Sequence, residues 1–275
     1  MTEPRRGIRA RRDGWANTVK AAVTPRDISI LYLVGTCGVV RTRDIARFFF
    51  GSRATANDRL RKLYCAGLLD CHVPELAGDN FYTLTALGRD RVLDAHDLDA
   101  NALRIVRTLP KKLDHALAIT EVRLHVAIAC RDNARYELAS FETDAELAAE
   151  RHRALLDLIP DAKVAVRSRA TGEAHSFFVE MDLGTEAVTW LVRHKLAAYA
   201  RHAQLGTSLY GLRDPLVVVV TTGIRRARNA ARALTDMRVD ARTVFAAQSF
   251  LNETNVLGAA YALPADLLAP DGTDA

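Results

Sequence analysis

Residues 157–200 read DLIPDAKVAVRSRATGEAHSFFVEMDLGTEAVTWLVRHKLAAYA. Two short apolar runs, 162–166 and 176–181, each lie against carboxylates. Asp161 precedes the first; Glu180 and Asp182 close the second. Alternate residues of a strand face the same side. Glu180 and Asp182 therefore share a face, and Met181 turns away. A hairpin around Ala170-Thr171-Gly172 brings Asp161 towards that face. The following segment, 185–202, has helical spacing in Trp190, Leu191, Leu196 and Tyr199, and carries Lys195. Two strands and a helix predict a sheet packed against helices. Carboxylates meeting at a sheet edge are costly unless a cation or basic group joins them. Asp161, Glu180 and Asp182 are therefore a candidate site for Mg²⁺ or Mn²⁺, which favour oxygen ligands. Solvated acids at strand ends are the alternative from the same residues.

Nearly half of the 275 residues are apolar and a quarter are charged, the balance of a soluble globular chain with room for one or two cored domains. The net charge of +5 is modest for the length, so its placement matters more than its size. Arg5, Arg6, Arg9, Arg11 and Arg12 crowd the start and predict a flexible basic arm over 1–22. No apolar run approaches the ~18 residues of a membrane span, and the start lacks a signal-peptide apolar region. Cys37, Cys65, Cys71 and Cys130 have neither CxxC pairing nor zinc-ligand spacing. They predict reduced thiols of a cytoplasmic protein. The absence of GxxxxGK[ST], GxSxG and HExxH runs argues against a P-loop ATPase, a serine hydrolase of that type and a zincin.

Upstream, Thr24-Pro25-Arg26-Asp27 is a helix start with an N-cap, a proline at the first position and an acid at the third. Ile28, Leu31 and Tyr32 predict its buried stripe. A second short helix covers 42–49. A third begins after Gly51-Ser52 and ends near Ala66, with Ala56, Leu60, Leu63 and Tyr64 inward. Gly67 closes it. Strands at 68–73 and 81–84, then a helix capped by Thr85, complete the order of a winged helix-turn-helix over 23–97. The phrases Leu60-Arg61-Lys62-Leu63-Tyr64-Cys65-Ala66-Gly67-Leu68-Leu69 and Tyr82-Thr83-Leu84-Thr85-Ala86-Leu87-Gly88 resemble bacterial winged-helix DNA-binding proteins. In such a domain the third helix enters the major groove by its N-terminal half. Arg53, Thr55 and Asn57 stand there, and Arg reads guanine while Asn reads adenine. Arg41, Arg43, Arg59, Arg61 and Lys62 are placed for phosphates.

A linker is expected over 98–112, ending at Pro110-Lys111-Lys112, and a second domain over 113–262. Its first helix, 113–131, buries Leu117, Thr120, Leu124, Ala127 and Ile128, with Glu121 on that same face. An acid there needs a partner. Strands follow at 136–141 and in the two acidic runs, then the Lys195 helix, a strand at 216–222, a very basic helix at 225–234 and a strand at 243–247. The order predicts a mixed sheet with helices on both faces. The end, 263–275, is expected to be loose.

An acid on the first helix, Pro160-Asp161 on the second strand and Glu180-Met181-Asp182 ending the third resemble the PD-(D/E)xK nuclease fold. That pattern has lysine where Asp182 stands, and Lys195 on the next helix is the substitute the resemblance offers. The sequence is also similar, over roughly 25–222, to the replication-relaxation family. The winged-helix phrases carry this likeness, together with Leu113-Asp114-His115-Ala116-Leu117-Ala118-Ile119-Thr120-Glu121, Ile159-Pro160-Asp161, the run 178–186, Lys195-Leu196 and Tyr199. The overall expectation is a winged helix followed by a nuclease-like α/β domain.

The resemblance implies a protein that binds double-stranded DNA in the replication or mobilisation of a plasmid or mobile element. Its partners would be plasmid replication or mobilisation proteins, or a second copy in a homodimer. It would be cytoplasmic, associated with nucleoid or plasmid, and without a membrane role. Two alternatives stay open. In a metal-dependent endonuclease, Asp161, Glu180 and Asp182 would hold the ion, with Lys195 orienting water and Glu121 as ligand or base. In a transcriptional regulator, the second domain would dimerise or sense.

Overall fold

The computed structural model describes the backbone of residues 8–9, and residues 22–74, 78–98, 103, 105–106, 109–110, 112–148, 157–258 and 260–268. Most of the N-terminal arm lies outside them, but Ile8–Arg9 forms a short strand, β1. The chain divides into two compact units, 1–121 and 122–275. The division falls inside a helix, later than the break expected at 110–112. Leu103, within that expected linker, is instead buried in the core of the first unit.

The first unit runs α1 (Pro25–Cys37), β2 (Val40–Arg41), α2 (Thr42–Phe49), α3 (Arg53–Cys65), β3 (Leu69–Val73), β4 (Phe81–Leu84) and α4 (Ala86–His96), and then enters α5 (Leu113–Arg131). Its antiparallel sheet has the order β1-β3-β4-β2. Thr24 and Asp27 form a reciprocal capping box at the start of α1, and Ser52 caps α3. The end of α3 is a Schellman turn. Gly67 N–H donates to Tyr64 C=O at 2.9 Å and Leu68 N–H to Leu63 C=O at 3.0 Å, with Gly67 at φ +76°. Gly88 marks the close approach of α4 to the residue just before β3, since a Cβ there would lie 2.1 Å from the Leu68 carbonyl oxygen.

The buried face of α1 differs from the expected one. Ile30, Leu31 and Val34 are buried, with Asp27 one turn ahead on the same face; Tyr32 is exposed and Ile28 half-buried. A charged residue at the head of the stripe conceals its period.

The second unit takes up the rest of α5 and a five-stranded mixed sheet of order β5-β6-β7-β8-β9. The strands are β5 (Tyr136–Thr143), β6 (Ala162–Ser168), β7 (Ala174–Asp182), β8 (Leu216–Thr221) and β9 (Thr243–Ala247). The β5–β6 and β6–β7 pairs are antiparallel; β7–β8 and β8–β9 are parallel. The parallel pairs require crossovers, supplied by α6 over 188–204 and α7 (Ile224–Asp236). The middle of α6, Leu191–Leu196, is π-helical, flanked by Val188–Trp190 and Ala197–Gln204. Phe178, Val217, Val219 and Phe245 of the sheet form one core with Leu196, Tyr199, Ala227, Ala230 and Leu234 of the two helices. The tail is tied down further than expected: α8 (Pro264–Leu268) buries Leu267 in that core. Residues 269–275 lie outside the described residues.

Candidate functional site

The turn at Gly172, φ +72°, sets the register of the β6–β7 hairpin. Ala162 pairs with Val179, so Asp161 stands just beyond the end of the ladder, next to Glu180 and Met181. Its side chain replaces the missing strand partner, with Oδ2 accepting from Met181 N–H at 2.8 Å. Glu180 lies near the end of the central strand β7, paired with Val219 of β8, and has no exposed area.

Lys195 reaches both acids. Its Nζ donates to Asp161 Oδ1 at 3.1 Å and to Glu180 Oε2. Tyr199, one turn on, donates its hydroxyl to Glu180 Oε1 at 2.6 Å. The π-helical segment lies under this pair: Ala197 N–H reaches Val192 C=O, the five-residue spacing of a π turn. Such turns insert a residue and occur often at functional positions. Here Leu191, Val192 and Leu196 stay in the core, while Lys195 remains partly exposed.

Burial pushes the Glu180 carboxyl up to about 8; the neighbouring Asp161 adds to the rise, and Lys195 and Tyr199 oppose it. Burial works against the charge on Lys195, but Glu180 and Asp161 outweigh it and hold its pKa above the ordinary value. Burial and then Glu180 raise the Tyr199 phenol well above its usual range.

Asp182 does not join this group. It takes a two-pronged contact from Arg226 on α7, at 2.6 and 2.7 Å. Arg226 also donates to the Glu186 carbonyl at 2.7 Å. Glu121 is paired within the first unit, 3.1 Å from an Arg41 nitrogen and 3.8 Å from Arg43. Arginines, then, supply the partner that an acid on that helix face requires. Asp161, Glu180 and Lys195 therefore meet, while Asp182 and Glu121 have other partners. Among the described residues, no group of three or more His, Cys, Asp and Glu side chains is placed to hold a metal ion. All four carboxylate oxygens of Asp161 and Glu180 already accept from the protein. An ion between them would have to displace the Lys195 ammonium, so the arrangement fits a lysine better than a divalent cation.

In the first unit, the candidate DNA contacts separate into two sets. Arg59 is turned inward to Asp27, with Nε 2.7 Å from Oδ1, and Arg41 is held by Asp44 at 2.8 Å. The outer set comprises Arg53, Thr55, Asn57 and Arg61, all exposed on α3, with Arg43 exposed on α2 and Lys62 partly so. Arg53 reaches Asp79, in the loop before β4, and Arg61 and Lys62 reach Asp58. Sequence reasoning missed Arg226 and Asp79 as partners. The Arg225-Arg226 pair just after β8 was the available signal for the first.

A family model described as Replication-relaxation matches residues 31–212. Comparison with curated proteins and with solved structures gives no match. No helix among the described residues is long and apolar enough to cross a membrane.

Proposed function

Because the chain belongs to the replication-relaxation family, matched across both units, we propose that it is a DNA-binding protein acting in the replication or mobilisation of a plasmid or mobile element. The first unit is read as a winged helix, with α3 as recognition helix and the β3–β4 hairpin as wing. The observation that carries this is the exposed face of α3: Arg53, Thr55 and Asn57 in its first half, Arg61 further on. Base-reading side chains come first and a phosphate-binding one follows, as major-groove docking requires. Of the inward set, Arg59 ties α3 to Asp27 of α1 and Arg41 is held by Asp44 and Glu121, leaving the outer residues to meet DNA.

Selection of duplexes from a random library, followed by anisotropy titration, tests this. Asn57→Ala weakens the selected site by about 1–3 kcal/mol and relaxes preference at one position. Arg61→Ala weakens all duplexes alike and lowers the salt slope by about 1. Wild-type binding without salt dependence, or selected-site binding indifferent to both changes, defeats the reading. Protection at a replication origin supports a replication role, whereas protection confined to a promoter supports the regulator alternative.

The second unit is read as a nuclease-like domain whose acidic cluster is closed by its own lysine. One observation favours catalysis: Lys195 comes from the helix after the acidic strands and lies between Asp161 and Glu180. Under that alternative, Asp161→Asn abolishes Mg²⁺-dependent nicking of supercoiled plasmid without changing DNA binding. Nicking that persists in the double variant Asp161→Asn, Glu180→Gln excludes the cluster as its source.

A further inference from the structure

The α7 sequence is IRRARNAARALTD, with no acid before Asp236. Its inner face, Ala227, Ala230, Ala231 and Leu234, is buried. Arg226 is turned in to Asp182. The outer face exposes Arg225, Arg228, Asn229 and Arg232. Like charges three and four residues apart on a helix repel. Arg225 also occupies the first turn, where the helix dipole disfavours cations, and α7 itself has no acid in that turn. The outer face of α7 thus presents a run of positive charge that suits a polyanion. Arginine is the cation suited to two-pronged phosphate contacts. From Arg225 to Arg232 the row extends about 10 Å along the axis. The neighbouring α6, packed against α7, exposes Arg193 and His194, with half-exposed Trp190 5.1 Å from the His194 ring.

We propose that the exposed arginine face of α7 is a second, sequence-independent contact for the DNA backbone, carried by the second unit. This rests on the reading of the chain as a DNA-binding protein, but uses residues beyond the family match, which ends at 212. An anionic membrane is the less suitable occupant. An interfacial helix inserts a bulky apolar face into lipid, whereas the apolar face of α7 is mainly alanine and already buried against the sheet.

The test is the salt dependence of binding to random-sequence duplex DNA, using the full chain. Each lost phosphate contact removes about 0.9 from the log–log slope. The triple variant Arg225→Gln, Arg228→Gln, Arg232→Gln is expected to lower the slope by about 2–3 and to weaken every duplex about ten-fold or more. The triple Arg→Lys variant keeps most of the slope, showing that loss of charge and not of fold is responsible. An unchanged slope in the Gln variant overturns the proposal, even if binding to anionic phospholipid vesicles falls. If Asn57→Ala and Arg61→Ala act on α3 as expected while the α7 variant does not, only the second contact fails. If wild type shows no salt-dependent DNA binding, both fail.

Discussion

Among the described residues, each unit hides one carboxylate completely, and the two behave in opposite ways. Asp27 in the first unit and Glu180 in the second have no exposed area. Burial works against the Asp27 charge, yet hydrogen bonds from Arg59 and Thr24 prevail and hold its pKa below the ordinary value. Burial of Glu180 prevails over Lys195 and Tyr199 and raises it to about 8. Depth and neighbours explain the difference. Asp27 is covered but shallow, facing a guanidinium, a hydroxyl and an amide. Glu180 is fully buried on the central strand and shares its one ammonium with a second acid. Covered area alone does not set the charge state; what matters is how many donors each acid has to itself.

The largest expected effect comes from removing the shared cation. Lys195→Met leaves two acids facing each other and should destabilise the second unit by about 3–5 kcal/mol, read by urea unfolding. Adding Glu180→Gln should recover part of that loss; no recovery would mean that Lys195 acts through packing alone. Next is Arg59→Met, which strips the shallower acid of its guanidinium and should cost about 2–3 kcal/mol. Tyr199→Phe, removing one hydrogen bond to Glu180, should cost about 1–2 kcal/mol. Thr24→Ala, removing the cap that also faces Asp27, should cost about 1 kcal/mol.

The contrast also predicts opposite pH dependences in one chain. Glu180 has a folded pKa above its usual 4.5. Its contribution is full below that value and is lost as pH rises through about 8. Asp27 has a folded pKa below its usual 3.8, so its contribution is present above 3.8 and is lost as pH falls through the folded value. Hydrogen exchange resolved by unit should show the second weakening from acid to mildly alkaline pH. The first should weaken only in acid. Glu180→Gln should flatten the first of these trends and leave the other intact.

Much of the fold was legible in the sequence because caps and breaks sit where the chain turns. Thr24, Ser52, Gly67 and Thr85 mark the helix ends, and the apolar runs 162–166 and 176–181 about the turn at Ala170-Thr171-Gly172 mark the hairpin that brings Asp161 beside Glu180. The α1 stripe was misread because Asp27 occupies a buried position that hydrophobic periodicity counts as polar. The partners of Glu121 and Asp182 were not legible, since Arg41 and Arg226 lie 80 and 44 residues away in sequence. The π turn around Lys195 leaves no mark either: an inserted residue changes the geometry of a helix without changing its composition.

The most direct test is duplex DNA binding by the full chain in EDTA across a salt series. Binding retained in EDTA, with affinity falling linearly in log–log form as salt rises, is the predicted result: recognition by the first unit, with the acidic cluster closed by lysine. Binding absent in EDTA, restored by Mg²⁺ in wild type but not in Asp161→Asn, would contradict it and make the carboxylates a working metal site.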